Sequence, residues 1–251
     1  MIKLSKKILK QVGRSNGDFN LIEEGDKVAI GLSGGKDSLT LAHAIKDMKR
    51  RTPFDFEFKA ITVDYGMGEN FDNLIAHTKE NNIPHEIIHT EIFDTAKEKI
   101  RPNSSSCSFF SRMRRGALYT KTLDMGFNKL ALGHHFDDAI ESYFMNLFYN
   151  GQMRALPPKY KADNGLIVIR PLIQIRERQL IAAALENEMP TIGDETCPSQ
   201  YFDDKKPFAR AKMKTYLAKL EDEFPNMFIS LNSAFKNISD DTFFDKERFY
   251  V

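Results

Sequence analysis

Short apolar runs alternate with longer amphipathic segments through the central part of the chain. Apolar runs of this length predict buried strands, and apolar positions at helical spacing predict helices between them. The predicted strands are residues 27–32, 58–63, 86–89, 129–132 and 166–169. The predicted helices are residues 37–50, 71–82, 111–125, 138–149 and 177–188. Such alternation is typical of βαβ units, so the predicted fold class is α/β, a parallel sheet flanked by helices.

The two ends of the chain depart from this alternation. Four apolar residues recur at helical spacing near the N-terminus: Leu4, Ile8, Leu9 and Val12. They predict an N-terminal helix outside the sheet. Amphipathic stretches over 205–220 and from about 224 predict a helical C-terminal extension. The predicted parts are residues 1–26, 27–200 and 201–251, and the interval 93–111 is predicted to be a long functional loop.

A glycine-rich segment joins the first predicted strand to the helix that follows it. Residues 31–38 read Gly-Leu-Ser-Gly-Gly-Lys-Asp-Ser. Gly34 and Gly35 allow a sharp turn whose N–H groups approach an anion, and the helix N-terminus adds its partial positive charge. The predicted phosphate-binding residues are Ser33, Gly34, Gly35, Lys36, Asp37 and Ser38.

The spacing of this loop differs from that of a Walker A loop. A Walker A loop has four residues between its first glycine and Gly-Lys, and a Ser or Thr directly after the lysine. Here the spacing is one residue short and Asp37 follows Lys36, which argues against enzymes that act on the γ-phosphate. The segment could also be a glycine-rich turn without a ligand, but its strand-to-helix context favours nucleotide binding.

A second polar group, Gly-His-His-Phe-Asp-Asp, follows the fourth predicted strand. Ligands of open α/β sheets bind beyond the carboxyl ends of the strands, so this group, the glycine-rich loop and Asp64 should converge. Gly133 and His134 are candidate nucleotide contacts, and Asp137 and Asp138 suit a hydrated Mg²⁺ shared with phosphates. Both carboxylates could instead cap the next helix, and Asp64 could bind adenosine or a metal or simply form a turn.

The chain has two cysteines and a net charge of +1. Two cysteines are too few for a secreted disulfide framework and indicate a reducing compartment. Cys107 precedes a predicted arginine-rich helix start, where cationic neighbours favour the thiolate, and Cys197 lies on a predicted loop. Candidate contacts to RNA phosphates are Arg112, Arg114 and Arg115, although a solvated helix face would account for them equally well.

Apolar stretches of the length that spans a membrane do not occur in the sequence. A membrane helix needs about 18 or more consecutive apolar residues, and the N-terminus has no apolar region of a signal peptide. We therefore expect a cytoplasmic protein that does not enter membranes.

These motifs together resemble one family. The loop 33–38 resembles the PP-loop of ATP pyrophosphatases, which hold the pyrophosphate of ATP while the α-phosphorus is attacked. The whole set resembles the tRNA-cytidine 2-sulfurtransferases, or 2-thiocytidine synthetases, from the N-terminus to about Gln200. The segments that carry this resemblance are residues 11–14, 18–26, 33–38, 112–116, 133–138, 146–151 and 168–172.

The resemblance implies a fold, a reaction and partners. The implied fold is that of PP-loop, adenine nucleotide α hydrolase-like proteins. The implied enzyme is a homodimer that uses ATP and Mg²⁺ to adenylate the C2 oxygen of an anticodon-loop cytidine, at position 32, and then replaces AMP with sulfur. AMP and pyrophosphate are the products, and the implied partners are tRNA and a sulfur donor such as a cysteine desulfurase.

The sequence departs from this family at its sulfur-handling group, a [4Fe–4S] cluster held by three cysteines. Cys107 and Cys197 match two of the ligand positions, but Phe110 stands where the family has the second cysteine of Cys-x-x-Cys. Phenylalanine cannot ligate iron. A non-cysteine ligand such as Asp194, a cluster of another type, or two thiols that act as persulfide carrier and resolving thiol would each account for this departure. An altered cluster is preferred because the surrounding residues still resemble the cluster-dependent family.

Two other functions stay open from the sequence. The adenylated base could be another one, or could be attacked by an amine, as in lysidine formation. Alternatively, the lost cysteine could mark a non-catalytic protein that binds nucleotide or RNA.

Overall fold

A mostly parallel sheet forms the centre of the structure, a computed structural model that describes residues 2–100, 105–192, 198–202, 209–239 and 242. Its six strands within those residues are β1 (Lys27–Gly31), β2 (Glu57–Asp64), β3 (His85–His89), β4 (Lys129–Ala131), β5 (Lys159–Lys161) and β6 (Ile167–Ile169). Their order is β3-β2-β1-β4-β6-β5, and all neighbours are parallel except β5 and β6. The predicted α/β fold class is confirmed, with one antiparallel edge strand that the sequence did not predict.

Helices precede, connect and follow these strands. Within the described residues they are α1 (Lys6–Phe19), α2 (Lys36–Arg51), α3 (Asp72–Glu80), α4 (Ile92–Lys99), α5 (Ser106–Asp124), α6 (Phe136–Asn150), α7 (Glu177–Glu186), α8 (Ala209–Glu223) and α9 (Met227–Ala234). A short 3-10 helix, Pro198–Tyr201, follows α7. None of the helices in this part of the chain is both long enough and apolar enough to cross a membrane.

Two expectations about the interval 93–111 were wrong. It is not one long loop, because α4 fills most of its first part and buries Ile92 and Ala96, which are four residues apart. Cys107 does not precede the next helix but lies in its first turn, because α5 begins at Ser106. The reason is a cap, since the Ser105 hydroxyl accepts a hydrogen bond of 3.2 Å from the Ser108 N–H.

The chain divides into two compact units, one of residues 1–139 with 156–206 and one of residues 140–155 with 207–251. The first contains the whole sheet. In the second, Arg210 and Glu141 form an ion pair of 3.4 Å, and the rings of Tyr143 and Phe235 meet at 5.4 Å. Compactness alone does not test the domain limits predicted from the sequence, which stay a prediction.

Side chains of the first unit pack on both faces of the sheet. Val28 and Ile30 belong to the core shared with α1, α2 and α7, whereas Ala29 belongs to the core shared with α4 and α5. Successive residues of a strand point to opposite faces, which is why one apolar run supplies both cores. Strands buried on both faces read as continuous apolar runs, and this accounts for the success of the strand predictions.

The sheet reverses its winding between β1 and β4. These strands are neighbours, although β2 and β3 lie between them in the chain. Connections therefore leave β1 on one side and return to β4 on the other. A crevice forms at the carboxyl ends of the strands at such a switch point, and it is the usual ligand site of open α/β sheets.

A buried histidine pair joins α2 to α3. The Nε2 atoms of His43 and His77 lie 2.8 Å apart, and the two residues are 5% and 8% exposed. Burial lowers the pKa of His43 to about 3, with help from His77 and Lys46, and burial also lowers the pKa of His77. Both rings are therefore neutral near pH 7, with one donating to the other.

This pair should make folding stability depend on pH. Unfolded histidine binds a proton below about pH 6.5, whereas folded His43 does not until about pH 3, so the unfolded state gains protons first and stability falls as pH drops below 6.5. At pH 5 the loss from His43 alone should reach about 2 kcal/mol in the free energy of unfolding. Urea unfolding at pH 7.5 and pH 5 measures it, and His43→Leu should show a smaller difference. Equal differences in both proteins would contradict this assignment.

Candidate functional site

A cavity of about 420 Å³ opens at the carboxyl ends of β1, β2 and β4. Its volume is in the range typical of small-ligand sites. The predicted residues on its wall are Ser33, Gly35, Asp37, Ser38, Arg114, Gly133, His134 and Asp138. The glycine-rich loop and the polar group after β4 therefore converge at the switch point. A wider hollow of about 590 Å³ borders Glu57 and Pro84 at the amino ends of β2 and β3 and contains none of the predicted site residues.

Gly34 shapes the turn of the phosphate cradle. Its φ is +82°, a region that favours glycine, and a Cβ there would lie 2.4 Å from Cδ1 of Ile192. Gly35 is the N-cap residue of α2 and supplies no side-chain cap. The first turn of α2 therefore has no capping side chain, and an uncapped helix N-terminus is the arrangement that binds an anion.

The two serines of the loop hold its shape. The Ser38 hydroxyl accepts a hydrogen bond of 3.1 Å from the Ser33 N–H and donates one of 2.9 Å to the Gly35 carbonyl. The Ser33 hydroxyl lies 3.2 Å from the same oxygen of Ser38. Ser38 is buried, and the hydrogen bonds within the loop are the main interactions of its hydroxyl. A contact to a ligand would be additional to them.

Lys36 lies between two carboxylates. Its Nζ is 3.1 Å from Oε1 of Glu177 and 3.2 Å from Oδ2 of Asp37. Burial alone would lower the pKa of Lys36, but the Asp37 and Glu177 carboxylates outweigh it and raise the pKa. Lys36 is therefore a fixed cation at the edge of the cradle. Nothing in the sequence marks Glu177 for this role, because it looks like an ordinary acidic residue in the first turn of α7.

The adjacent residues Asp137 and Asp138 differ in their contacts. Asp137 Oδ1 accepts from Arg176 Nε at 3.0 Å, and Asp137 Oδ2 accepts from the Glu177 N–H at 2.7 Å. Asp137 thus fixes the start of α7, including Glu177, whose side chain pairs with Lys36. Asp138 Oδ2 accepts from the His135 N–H at 3.0 Å, and Asp138 lies on the cavity wall.

Asp37 has a buried oxygen that lacks a partner. Its Oδ2 pairs with Lys36, whereas its Oδ1 is buried and has no hydrogen-bond partner among the described residues. Burial raises the pKa of Asp37, against the pull of His135 and Lys36, and nearby Asp138 raises it further. An unpaired buried carboxylate oxygen costs free energy, so it indicates a position for a cation.

The described residues contain no group of three or more His, Cys, Asp or Glu side chains that could hold a metal ion by themselves. Mg²⁺ does not require one, because it usually binds one or two carboxylates, several waters and the phosphates of its substrate. Asp37 and Asp138 fit that pattern.

Asp64 forms a turn at the end of β2. Its Oδ1 accepts from the Gly66 N–H at 2.8 Å, and its Oδ2 is 2.6 Å from Nδ1 of His89. Gly66 has φ +81°, and a Cβ there would lie 2.7 Å from the Thr90 carbonyl oxygen. Asp64 itself is not among the residues that line the cavity, whereas Tyr65, Glu69, Asn70 and Phe71 are.

Gly133 and His134 line the cavity, and each also contacts a neighbouring segment of the chain. A Cβ on Gly133 would lie 3.1 Å from the backbone of Asp37 and Ser38, so the loop after β4 packs directly on the start of α2. His134 Nδ1 accepts a hydrogen bond of 3.2 Å from Nε of Arg170. Arg170 lies in one of the segments that carry the family resemblance, and the sequence alone assigns it no role.

The three arginines of α5 are exposed, and Arg114 alone among them lies on the cavity wall. Arg115 is close enough to Arg170 and Tyr119 to affect the pKa of each. The contacts of Arg112, Arg114 and Arg115 to RNA phosphates stay a prediction.

The structure describes Cys107 but not Cys197. Cys107 is exposed in the first turn of α5, whereas Cys197 and the alternative ligand Asp194 lie outside the described residues. Phe110, one turn after Cys107, is 3% exposed. We define the aromatic cluster around it as Tyr65, Phe93, Phe109, Phe110, Tyr201 and Phe202, whose neighbouring rings meet at 5.5 to 6.5 Å.

Comparison with known proteins agrees with these observations. Residues 3–215 match the family described as the PP-loop domain. The tRNA-cytidine(32) 2-sulfurtransferase of Geobacter metallireducens is 42% identical over 98% of this chain and 95% of its own length. The protein of the same name from Syntrophotalea carbinolica is 42% identical over 94% of this chain and 90% of its own length.

A solved structure supports the fold. The U34-tRNA thiolase NcsA from Methanococcus maripaludis, determined with its [4Fe-4S] cluster, superimposes with a TM-score of 0.73 at 24% identity, over 93% of this chain and 79% of that one. From the family match and the near full-length relatives, the chain belongs to the PP-loop family and, within it, to the tRNA-cytidine(32) 2-sulfurtransferases.

Proposed function

We propose that this protein uses ATP to thiolate C2 of cytidine 32 in tRNA. The observation that carries the proposal is the phosphate cradle of residues 33–38, of which Ser33, Gly35, Asp37 and Ser38 line a cavity at the switch point. The chain that carries it is 42% identical to a tRNA-cytidine(32) 2-sulfurtransferase. Its reaction would occur in the cytoplasm, with tRNA as substrate and a protein such as a cysteine desulfurase as sulfur donor. A homodimer also belongs to this proposal.

The first step is adenylation. The C2 oxygen of the cytidine attacks the α-phosphorus of ATP, the bond to the β-phosphate oxygen breaks, and pyrophosphate leaves. The N–H groups at the start of α2 would bind the departing phosphates, and Lys36 would neutralise them. Lys36 already lies between Asp37 and Glu177, which orient the ammonium group without a ligand.

Mg²⁺ would be held by Asp37 and Asp138 rather than by Asp137. Both oxygens of Asp137 are occupied by Arg176 and Glu177, whereas Asp37 has an unpaired buried oxygen and Asp138 lies on the cavity wall. When bound, the ion would neutralise charge on the phosphates.

A cluster held by three cysteines does not fit this chain. The sequence has two cysteines, and the third ligand position, Phe110, is committed to the aromatic cluster. An altered cluster and a pair of thiols both remain consistent with these facts. Burial of Phe110 favours the pair of thiols over an altered cluster. The side chain one turn after Cys107 faces the core, so this position supplies no ligand for iron.

Two thiols can complete the reaction with atoms and electrons in balance. The terminal sulfur of a cysteine persulfide attacks C2, and AMP leaves with the former C2 oxygen. The second thiolate then attacks the persulfide's cysteine sulfur, which releases 2-thiocytidine and leaves a disulfide between Cys107 and Cys197. A cellular dithiol reduces this disulfide. Ser106 Oγ, beside Cys107, donates a 3.4 Å hydrogen bond to the carbonyl of Ser199.

Replacement of the cradle lysine tests the proposed function. Lys36→Ala should lower tRNA-dependent pyrophosphate release and thiolation by at least about 100-fold, because a fixed cation on the leaving phosphates is lost. The matched control is Lys79→Ala, an exposed lysine on α3. Nucleoside mass spectrometry of tRNA from a deletion strain with each variant gives the cellular result. If Lys36→Ala restored 2-thiocytidine as well as wild type, the site would be wrong, and a change in another nucleoside would indicate another base or ligation.

Substitutions of Asp138 and Asp137 should have different effects, the first on Mg²⁺ binding and the second on folding stability. Asp138→Asn should reduce the gain in ATP affinity that Mg²⁺ provides over EDTA in calorimetric titration, with little change in the melting temperature. Asp137→Asn should keep that gain but lose about 1–3 kcal/mol of folding stability, because Arg176 and the start of α7 lose a charged partner. The assignment fails if the two variants respond to Mg²⁺ alike.

Iron analysis distinguishes a pair of thiols from an altered cluster. Protein purified without oxygen should contain far less than one cluster per chain, and Cys107→Ser and Cys197→Ser should abolish thiolation while pyrophosphate release persists. Ser108→Ala, a neighbouring exposed residue of α5, is the control. Stoichiometric iron and sulfide that disappear in Cys107→Ser would instead establish an altered cluster.

A further inference from the structure

Tyr201 is the exposed member of the aromatic cluster. It is 69% exposed, whereas Phe110 is buried and the other four members are half-buried. Its ring meets the ring of Phe93 at 5.5 Å and 79°, an edge-to-face contact that leaves most of the tyrosine ring open to solvent. Single exposed aromatic residues are common on protein surfaces, so the surroundings of Tyr201 decide whether it has a function.

The 3-10 helix that carries Tyr201 is fixed on both sides of this residue. Before it, Ser199 is buried, and its carbonyl accepts the 3.4 Å hydrogen bond from Ser106. After it, the ring of Phe202 meets the ring of Phe110 at 5.6 Å. A tyrosine side chain has only two χ angles, so a ring presented from a fixed turn loses little conformational entropy when it binds.

The same helix borders the candidate functional site. Its first residue, Pro198, lies on the wall of the cavity, whereas Tyr201 is not among the residues that line it. A 3-10 helix rises about 2 Å per residue, so the two backbones are about 6 Å apart along its axis. A nucleotide bound in the cavity would not account for Tyr201, whereas a longer chain that enters the cavity and continues past its edge would.

Cations accompany the exposed ring. Arg114 is exposed on α5 and lies on the cavity wall. Lys97 is exposed on α4, and its Nζ lies 4.6 Å from the ring centroid of Phe93, the ring that Tyr201 contacts. Asp94 pairs with Lys97 at 2.8 Å, but an exposed pair is weak enough for a phosphate to compete. An exposed aromatic ring with cations nearby is the pattern by which proteins bind single-stranded nucleic acid.

A protein partner fits this surface less well. Within the aromatic cluster, all of whose members the structure describes, Tyr201 alone is exposed, so the cluster does not present a wide apolar patch. Wide patches of that kind mark protein interfaces. A flat ring that stands out from buried and half-buried neighbours suits a nucleobase, because every base has a π-face that stacks on an aromatic side chain.

We propose that Tyr201 stacks on a base of the substrate RNA next to the base that enters the cavity. The inference rests on the proposed function for the identity of the RNA. An enzyme that acts on a base takes it out of the stack, which deprives the neighbouring base of a partner. The ring of Tyr201 replaces that partner, and Arg114 contacts a phosphate at the cavity. Tyr201 therefore binds the RNA and not ATP.

RNA affinity tests the stacking role. The probe is an unmodified anticodon stem-loop with cytidine at position 32, titrated by fluorescence anisotropy without ATP. Tyr201→Ala should weaken binding about 5- to 150-fold, the loss of one stack, and Tyr201→Phe should stay within about twofold of the wild type. Tyr201→Leu keeps an apolar contact with Phe93 but not a flat ring, so it should bind about as weakly as Tyr201→Ala. Tyr216→Ala, an exposed tyrosine on α8, is the matched control.

A fluorescent base locates the contact. The analogue 2-aminopurine loses fluorescence when it stacks, so at one of the two positions that flank cytidine 32 the wild type should quench it and Tyr201→Ala should not. ATP affinity should be the same in both proteins.

Equal RNA affinity or equal quenching in Tyr201→Ala and the wild type would overturn the proposal, as would Tyr201→Leu binding as tightly as Tyr201→Phe. A change in the oligomeric state of Tyr201→Ala with unchanged RNA affinity would show that the ring contacts another protein chain instead. RNA binding that depends on Tyr201 but yields no 2-thiocytidine would support the stacking role and count against the proposed function alone.

Discussion

The close approach of two backbones at the switch point is the constraint on which the rest of the site depends. Gly133, after β4, packs so tightly on the start of α2 that a Cβ would lie 3.1 Å from the backbone of Asp37 and Ser38. Only because the two loops meet there do His134 and Asp138 share one cavity with the phosphate cradle. A larger residue at 133 would push the cradle away from His134 and Asp138.

Charge at the phosphate cradle is partly balanced before a ligand binds. Lys36 lies between Asp37 and Glu177, and Glu177 is held by Asp137 through its backbone N–H. One residue, Asp137, therefore sets the position of the lysine's partner although it lies outside the cradle. The two carboxylates orient the ammonium group before a ligand arrives, and phosphates would compete with them for it. A site whose charges are positioned in advance is electrostatically preorganised.

Local patterns carried most of what the sequence could predict. The cradle lies within eight consecutive residues, so its chemistry is readable without the fold, and the buried strands were readable as apolar runs. Glu177 and Arg170 reach the site only through tertiary packing, and no local signal marks them. The edge strand β5 is three residues with lysines at both ends, too short and polar to recognise. Equally, sequence alone treats Asp137 and Asp138 as equivalent, although their partners in the fold distinguish them.

Phe110 stands where the family has a cysteine, and this substitution separates two tasks, the joining of two chain segments and the handling of sulfur. In a cluster with three cysteine ligands, one group would both join the cysteine-bearing segments and handle sulfur. Here the aromatic cluster joins α5 to the 3-10 helix, since Phe110 and Phe202 meet at 5.6 Å and Ser106 bonds to Ser199. Buried aromatic rings supply much packing area, so this connection needs no metal. Cys107 remains exposed in the first turn of α5. Packing thus accounts for the structural task, and sulfur transfer is the task that we propose for the thiols.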